Sequence, residues 1–303
     1  MITTAALSQT HRDAARDLLD TVTAHDRISP LDEAARLALQ GDSAQHLLLE
    51  ADAAPTQLLG YASVLADGTV QGMVHPDHRR SGHGTALLRA ALELRPDAGV
   101  WAHGAFDGSL AFLTGAGLRE TRRLLTLHHE LDVAHPVPAI PASSLEGLRL
   151  DAFDAERDAD RWVEVNALAF AEHPEQGALT RADLDQRLAE PWFDPEDLLV
   201  ALRDEELVGF VWVKREATES PDAAAASAGH DAEIYVVATA PSVQGHGVAG
   251  HLLAATLNRL LQAGVPGVEL YVEADNAPAL RLYETWGFAV SGRDVQMSAG
   301  GTS

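Results

Sequence analysis

The sequence predicts two consecutive α/β units, each a sheet flanked by helices. Three observations carry that reading. Apolar runs of strand length alternate with helices of 3.6-residue period. The alternation occurs twice in the same order. Between the copies stands a proline-rich segment, Leu131 to Leu148, holding Pro136, Pro138 and Pro141. Prolines lack the N–H that a ladder needs and favour an extended linker. The halves are then 1–135 and 147–303, each near the roughly 150 residues of an ordinary domain.

In the first half, the runs 60–65 (GYASVL) and 69–76 (TVQGMVHP) read as strands. A turn from His75 to Gly84 leads into a helix from about Gly84 to Leu94. A short strand GVWAH, a helix near Ser109 to Gly115 and a last strand LLTLHHEL complete the copy. In the second half, LLVALR and LVGFVWVKRE are strands joined by a short turn. The strand EIYVVATAP, the turn QGHGVAG and the helix HLLAATLNRLLQAG follow. GVELYVE is a strand, APALRLYETWG a helix and FAVSGRDVQMS a final strand. The small, polar stretch 217–229 (ATESPDAAAASAG) reads as a surface loop. A flap near the active site is its second reading.

Composition removes several function classes. The formal net charge is −23, so a phosphate backbone or an anionic lipid surface finds no basic face. A bound polyanion would have to lean on backbone N–H groups more than on lysines. The chain has 0 cysteines, which excludes disulfides, thiolate metal sites and a cysteine nucleophile. The N-terminal stretch is polar with helical periodicity and is not a secretory signal. No run nears the roughly 18 apolar residues of a membrane span, and the protein is expected to be cytoplasmic. The 14 histidines form no H-x-x-x-H or H-x-x-E-H pattern, so no metal is expected.

Two glycine-rich turns carry the chemistry. One is Arg79-Arg80-Ser81-Gly82-His83-Gly84-Thr85; the other is Gln244-Gly245-His246-Gly247-Val248-Ala249-Gly250. Each lies between a strand and an amphipathic helix, with a proline, Pro76 or Pro241, three residues before the Arg or Gln. Glycines let successive N–H groups face one anion, and the helix N-terminus adds its positive dipole end. A single such turn is no more than a tight connection. Two in the same setting read as pyrophosphate cradles, with a spacing unlike a Walker loop or GxGxxG.

Both turns resemble the Arg/Gln-x-x-Gly-x-Gly/Ala motif of the GCN5-related N-acetyltransferases (GNATs). The second half adds that family's later signature, Asn276-Ala277-Pro278-Ala279-Leu280-Arg281-Leu282-Tyr283 with Trp286-Gly287-Phe288. A closer resemblance, to the mycothiol synthase family, rests on Phe170-Ala171-Glu172-His173-Pro174-Glu175-Gln176-Gly177 and Glu190-Pro191-Trp192-Phe193-Asp194-Pro195. The runs 211–214, 233–237 and 270–276 share it. It implies two tandem acyl-CoA N-acyltransferase domains, each a mixed, mostly antiparallel sheet with two adjacent parallel strands splayed apart. It also implies acetyl transfer from acetyl-CoA to the cysteinyl amine of desacetylmycothiol (cysteinyl-glucosaminyl-inositol), the last step of mycothiol biosynthesis. The chain would act as a monomer whose halves mimic the subunits of a dimer.

Amide formation from a thioester needs a neutral amine, a polarised carbonyl and a proton for the leaving thiolate. Glu233 opens the strand before the second turn, where a carboxylate could take the amine proton directly or through a water. A solvated strand end is its bland reading; the resemblance implies the general base. By the same resemblance Tyr283 is the general acid, although half-buried tyrosines on helix faces are common. The resemblance places cofactor contacts at Val237, Ala238 and Thr239, at Gln244 to Gly250 and at Asn276, Ala277, Pro278, Ala279, Leu280 and Arg281. In the first half they fall on Gly72, Met73 and Val74 and on Arg80, Ser81, Gly82, His83, Gly84 and Thr85. Carried over from the mycothiol synthases, the acceptor contacts are Glu33, Glu175, Lys214, Glu233 and Tyr271. Glu33 could equally be an exposed helix residue with Asp32 beside it, and Lys214 a solvated strand end.

Aligning Gly117 with Gly287 sets Leu113 opposite Tyr283, and no carboxylate lies in 69–73. The first half is therefore expected to bind acetyl-CoA without catalysing, and the second to hold the active site. The rival functions are an acetyltransferase for another amine, such as a protein N-terminus, and a non-catalytic acetyl-CoA sensor.

Overall fold

A computed structural model describes the chain except residues 42, 52–53, 133, 136, 138–143, 172–173, 216–230 and 301–303, and except the side chains of 54–56, 174 and 175. The expected loop 217–229 and the linker prolines Pro136, Pro138 and Pro141 thus lie outside the described residues. The chain forms two compact units. Unit 1 takes Met1–Leu125, Glu273–Asp275 and Gly292–Ser303; unit 2 takes Thr126–Val272 and Asn276–Ser291.

Unit 1 begins with β1 (Ile2–Thr4), α1 (Gln9–Asp26) and α2 (Glu33–Ala38). Ser8 caps α1, its hydroxyl accepting from the His11 N–H at 3.2 Å. The helix buries Ala14, Ala15, Leu18 and Val22, one stripe at helical spacing. There follow β2 (Ala44–Ala51), β3 (Ala54–Leu65), β4 (Thr69–Val74), α3 (His83–Leu94), β5 (Gly99–Ala102), α4 (Asp107–Gly115) and the start of β6 (Leu118–Glu130). The strand order is β1-β2-β3-β4-β5, with the end of β12 (Ala289–Ala299) beside β5. Successive residues face opposite ways, so the sheet has two apolar layers. Leu47, Val64, Val70, Leu87, Leu113, Val295 and Met297 share one. Leu48, Tyr61, Met73, Leu18 and Val22 share the other.

Unit 2 holds β7 (Leu148–Ala152), α5 (Ala155–Ala169), α6 (Pro174–Gly177), α7 (Arg181–Leu188), β8 (Leu198–Arg203) and β9 (Glu206–Lys214). It continues with β10 (Ala232–Thr239), α8 (Val248–Gln262), β11 (Gly267–Glu273), α9 (Ala277–Thr285) and the start of β12. Its strands run β7-β8-β9-β10-β11. The short turn expected between β8 and β9 is two residues, Asp204 and Glu205, both at positive φ (51° and 66°). That is the twist a two-residue hairpin demands. Phe210 and Trp212 of β9 pack on Trp162 of α5 with ring centroids 4.7 and 5.8 Å away.

In each unit one strand pair is parallel. β4 and β5 stay in register only at Thr69↔Gly99 and Val70↔Val100, and β10 and β11 only from Ala232↔Val268 to Ile234↔Leu270. Beyond those pairs β4 and β10 run on without these partners, giving the expected splay. The other strand pairs with a resolved register are antiparallel. No helix among the described residues is long and apolar enough to cross a membrane.

Candidate active site

The cradle of unit 2 is set by backbone conformation. After β10, the N–H of Ala240 donates to the Val208 carbonyl at 2.8 Å, and Pro241–Val243 makes one 3-10 turn. Gly245 (φ +79°) and Gly247 (φ +82°) are left-handed, and Gly247 is the N-cap of α8. The sequence reading began that helix at His251; it begins at Val248, so more of the motif's N–H groups lie in the first turn, where a helix supplies no internal acceptor. A Cβ on Gly245 or Gly247 would meet nothing within 4 Å. Open space in front of a helix N-terminus with two left-handed glycines fits a pyrophosphate.

Unit 1 repeats this backbone. Arg80 (φ +64°) stands where unit 2 has Gly245, and Gly82 (φ +85°) is the N-cap of α3. The motif's first residue does one job in both copies. Arg79 Nε donates to the Val74 carbonyl at 3.2 Å, and Gln244 Nε2 to the Thr239 carbonyl at 3.5 Å, each the last residue of its strand. The rest of Arg79 clasps Asp26 of α1 with two hydrogen bonds of 2.9 and 2.7 Å. The Arg79 guanidinium holds the Asp26 carboxyl below the usual carboxylate range. Sequence reasoning missed this brace, because the partners are 53 residues apart.

Glu233 is half-buried on β10, with Lys214 of β9 and Glu269 of β11 as its register partners. Directly paired residues share a face, so Lys214, Glu233 and Glu269 form a row across three strands. Glu269 was not among the expected site residues; the run GVELYVE placed its strand, but only the register places it beside Glu233. Tyr271 is exposed, and its hydroxyl donates to Glu269 Oε1 at 3.4 Å. The β9–β10 pairing slips between Ile234 and Val236, leaving Tyr235 as a bulge. Val237 and Thr239 are half-buried and Ala238 is buried further along β10.

Tyr283 is the seventh residue of α9, a helix capped by Asn276, whose Oδ1 accepts from the Ala279 N–H at 3.2 Å. Asn276, Ala277, Pro278 and Arg281 are exposed; Ala279 and Leu280 are half-buried. The Tyr283 ring meets Phe288 edge-on at 5.7 Å. Burial pushes its phenol up to about 12, so the hydroxyl carries its proton at neutral pH. The seventh residue of α4 is Leu113, buried and without a hydroxyl. Counting back from the matching strand ends Val74 and Thr239 through the bulge, Thr69 stands where unit 2 has Glu233.

Met73 is buried against Leu18 and Tyr61, so only its backbone faces outward. At Gly72 a Cβ would sit 3.0 Å from the Tyr61 carbonyl oxygen. Glu33 is the first residue of α2 and Asp32 is its N-cap; Glu33 belongs to unit 1, whereas Glu175, Lys214, Glu233 and Tyr271 belong to unit 2. Glu175 lies in α6, with its side chain outside the described residues. The local run around it has a structural reason. Gln176 and buried Asn166 exchange hydrogen bonds of 2.6 and 3.0 Å, and a Cβ on Gly177 would clash with the Phe170 carbonyl. Among the described residues one trio, Glu130, Asp132 and His135, has ligand-type atoms within 4.8 Å of one another, all exposed.

A splayed parallel pair leading into a left-handed cradle at a helix N-terminus is the arrangement of GNAT enzymes. Residues 162–288 match the acetyltransferase (GNAT) family. Among solved structures, a GCN5-related N-acetyltransferase from Sphaerobacter thermophilus superposes with TM-score 0.69 at 23% identity, covering 98% of this chain and 94% of that one. A tandem GNAT protein from the clavulanic acid biosynthesis pathway gives 0.68 at 19%, covering 100% and 99%. The chain thus has the GNAT fold. Within that class it belongs to the mycothiol acetyltransferase family. It is 64% identical to the mycothiol acetyltransferase of Brachybacterium faecium, with 99% of both chains covered. It is 40% identical to that of Thermomonospora curvata, covering 92% of this chain and 90% of that one.

Proposed function

We propose that unit 2 transfers the acetyl group of acetyl-CoA to the cysteinyl amine of desacetylmycothiol, and that unit 1 holds acetyl-CoA without catalysing. The observation that carries this reading is the asymmetry between the units. Both have the cradle, but only unit 2 adds a carboxylate at Glu233 and a phenol at Tyr283. The names of the full-length relatives support the choice of acceptor.

In this mechanism the N–H groups from Gln244 to Gly250 hold the pyrophosphate, while Val237, Ala238 and Thr239 line the pantetheine arm. The Val237 N–H polarises the thioester carbonyl. Glu233 accepts the proton of the acceptor's ammonium, directly or through a water, and frees the lone pair that attacks. Tyr283 donates its proton to the departing thiolate. The row formed with Glu269 supports this role, since two neighbouring carboxylates attract a cationic amine. Glu175, Lys214 and Tyr271 contact the rest of a hydroxyl-rich acceptor. No step calls on a metal.

An acetyl-transfer assay of desacetylmycothiol against peptide amines tests the reading. Turnover of peptides with none on desacetylmycothiol would replace the acceptor. Acetyl-CoA binding without transfer to any amine would make the protein a sensor.

A further inference from the structure

Lys214 is the one lysine among the chain's 22 lysines and arginines. Every other basic position uses arginine, a planar fork; this one keeps a compact ammonium on a flexible stem. Lys214 ends β9 in register with Glu233. Its Nζ lies 5.0 Å from the centroid of the Trp192 ring and 6.0 Å from that of Tyr235. Trp192 comes from the Glu190–Pro195 run, to which the mechanism gives no task. Its ring stands edge-on to Tyr235 at 5.7 Å.

Both rings are braced. Trp192 and Tyr235 contact Trp212 at 5.6 and 5.7 Å, and Trp212 is 0% exposed. Arg187 Nε donates to the Tyr235 hydroxyl at 3.2 Å. Tyr235 is also the bulge residue of β10, and a bulge re-aims a side chain relative to the regular pleat.

We propose that Trp192 and Tyr235 form an aromatic clamp that fixes the Lys214 ammonium beside Glu233. There it donates hydrogen bonds to hydroxyl or carbonyl oxygens of the acceptor. Trp192 is thus a positioning residue for acceptor recognition. The recognition role rests on the acceptor reading given above; the clamp itself does not. A lysine stem left to itself samples many rotamers, whereas two ring faces attract the cation to one place. An arginine at 214 would present a longer fork and place its charge elsewhere.

The test compares the full chain with Trp192→Leu, Trp192→Phe and Lys214→Arg, measuring KM for desacetylmycothiol and for acetyl-CoA. Trp192→Leu should raise the acceptor KM by about tenfold, the worth of one partly desolvated cation–π contact, and leave the acetyl-CoA KM unchanged. Trp192→Phe keeps a ring face and should restore most of the loss; Lys214→Arg should resemble Trp192→Leu. Equal rises in both KM values, no rise in either, or a Phe variant as poor as the Leu variant would overturn the proposal. A second readout needs no turnover. Reductive methylation with a ¹³C label marks only Lys214 and the terminal amine. The Lys214 methyl signal should be displaced upfield by the rings and move toward the free dimethyl-lysine position in Trp192→Leu, which keeps only the Tyr235 ring. A signal already at the free position in the unsubstituted chain refutes the clamp. If that chain leaves desacetylmycothiol unacetylated, the acceptor reading and the recognition role both fall, and the methyl signal alone decides whether the clamp exists.

Discussion

The turns after β4 and β10 share two left-handed residues, a proline-led 3-10 turn, and a side-chain N–H that pins the strand's last carbonyl. They differ in what surrounds them. Unit 1 braces its turn with the Asp26–Arg79 pair, runs β4 against β3 without a bulge, and offers Thr69 and Leu113. Unit 2 uses a neutral glutamine, bulges at Tyr235, and offers Glu233 and Tyr283. Holding an anion is a property of backbone that any sequence with the right glycines can repeat. Moving a proton needs particular side chains at particular register positions, and those occur in one copy.

The largest expected effect is at the cradles themselves. Gly247→Val should abolish turnover, since a side chain there enters the open space and strains a left-handed residue. Gly82→Val should leave turnover largely intact. Thermal melts of both are needed, because the backbone strain alone lowers stability. If folded Gly82→Val is dead and folded Gly247→Val is active, the catalytic unit is misassigned.

Next comes Glu233→Gln, expected to slow turnover by roughly 10²–10⁴-fold, the range for a general base, with acetyl-CoA affinity retained. The deficit should shrink at high pH, where the amine is already neutral. A wild-type rate at pH 7 would remove the base from the comparison. Tyr283→Phe should cost less, about 10–10²-fold, because a thiolate leaves without full protonation. With its phenol raised to about 12, Tyr283 should stay protonated across the ordinary assay range. A Tyr283-dependent fall in rate near pH 8 would contradict that.

The smallest effect sharpens the other side of the comparison. Asp26 is depressed in the folded state from its ordinary value of 3.8. Its stabilisation is therefore present above that value and lost as pH falls through the lower folded value. Asp26→Asn should cost about 1–3 kcal/mol at pH 7, with the gap closing below pH 4. Denaturant titrations at the two pH values would show it, and a gap that persisted in acid would point to packing instead.

Much of the second copy was legible because its signals are local. The glycine turn, the helix after it and the Asn-capped α9 each announce themselves within about ten residues. Of the first ordered segments, α1 shows in its helical periodicity, whereas β1 and β2 do not show. In β2 the run Leu47-Leu48-Leu49 has no alternation, because both layers of unit 1 are apolar and adjacent leucines bury on opposite sides. Glu269 was invisible as a site residue because register is a tertiary fact: nothing in GVELYVE says which strand lies beside it. The Arg79 brace and the ring cluster around Lys214 escaped for the same reason, each joining residues dozens of positions apart. The Phe170–Gly177 run was noticed, but Asn166, which explains Gln176, lies outside it.

The membership of β12 has a consequence for synthesis. Val295 and Met297 lie in the apolar layer of unit 1, and Asp294 accepts from the Gly104 N–H at 2.7 Å while meeting His103 at 3.0 Å. The ribosome makes most of unit 1 first and these residues only after unit 2. During translation, at about 5–20 residues per second, the nascent N-terminal core waits many seconds with the β12 side of β5 uncovered. Its missing strand emerges only after unit 2 has been made, so the first-made half closes no earlier than the second. A stalled chain ending at Ser291 should therefore expose that core to proteolysis, while a released chain that includes β12 should protect it.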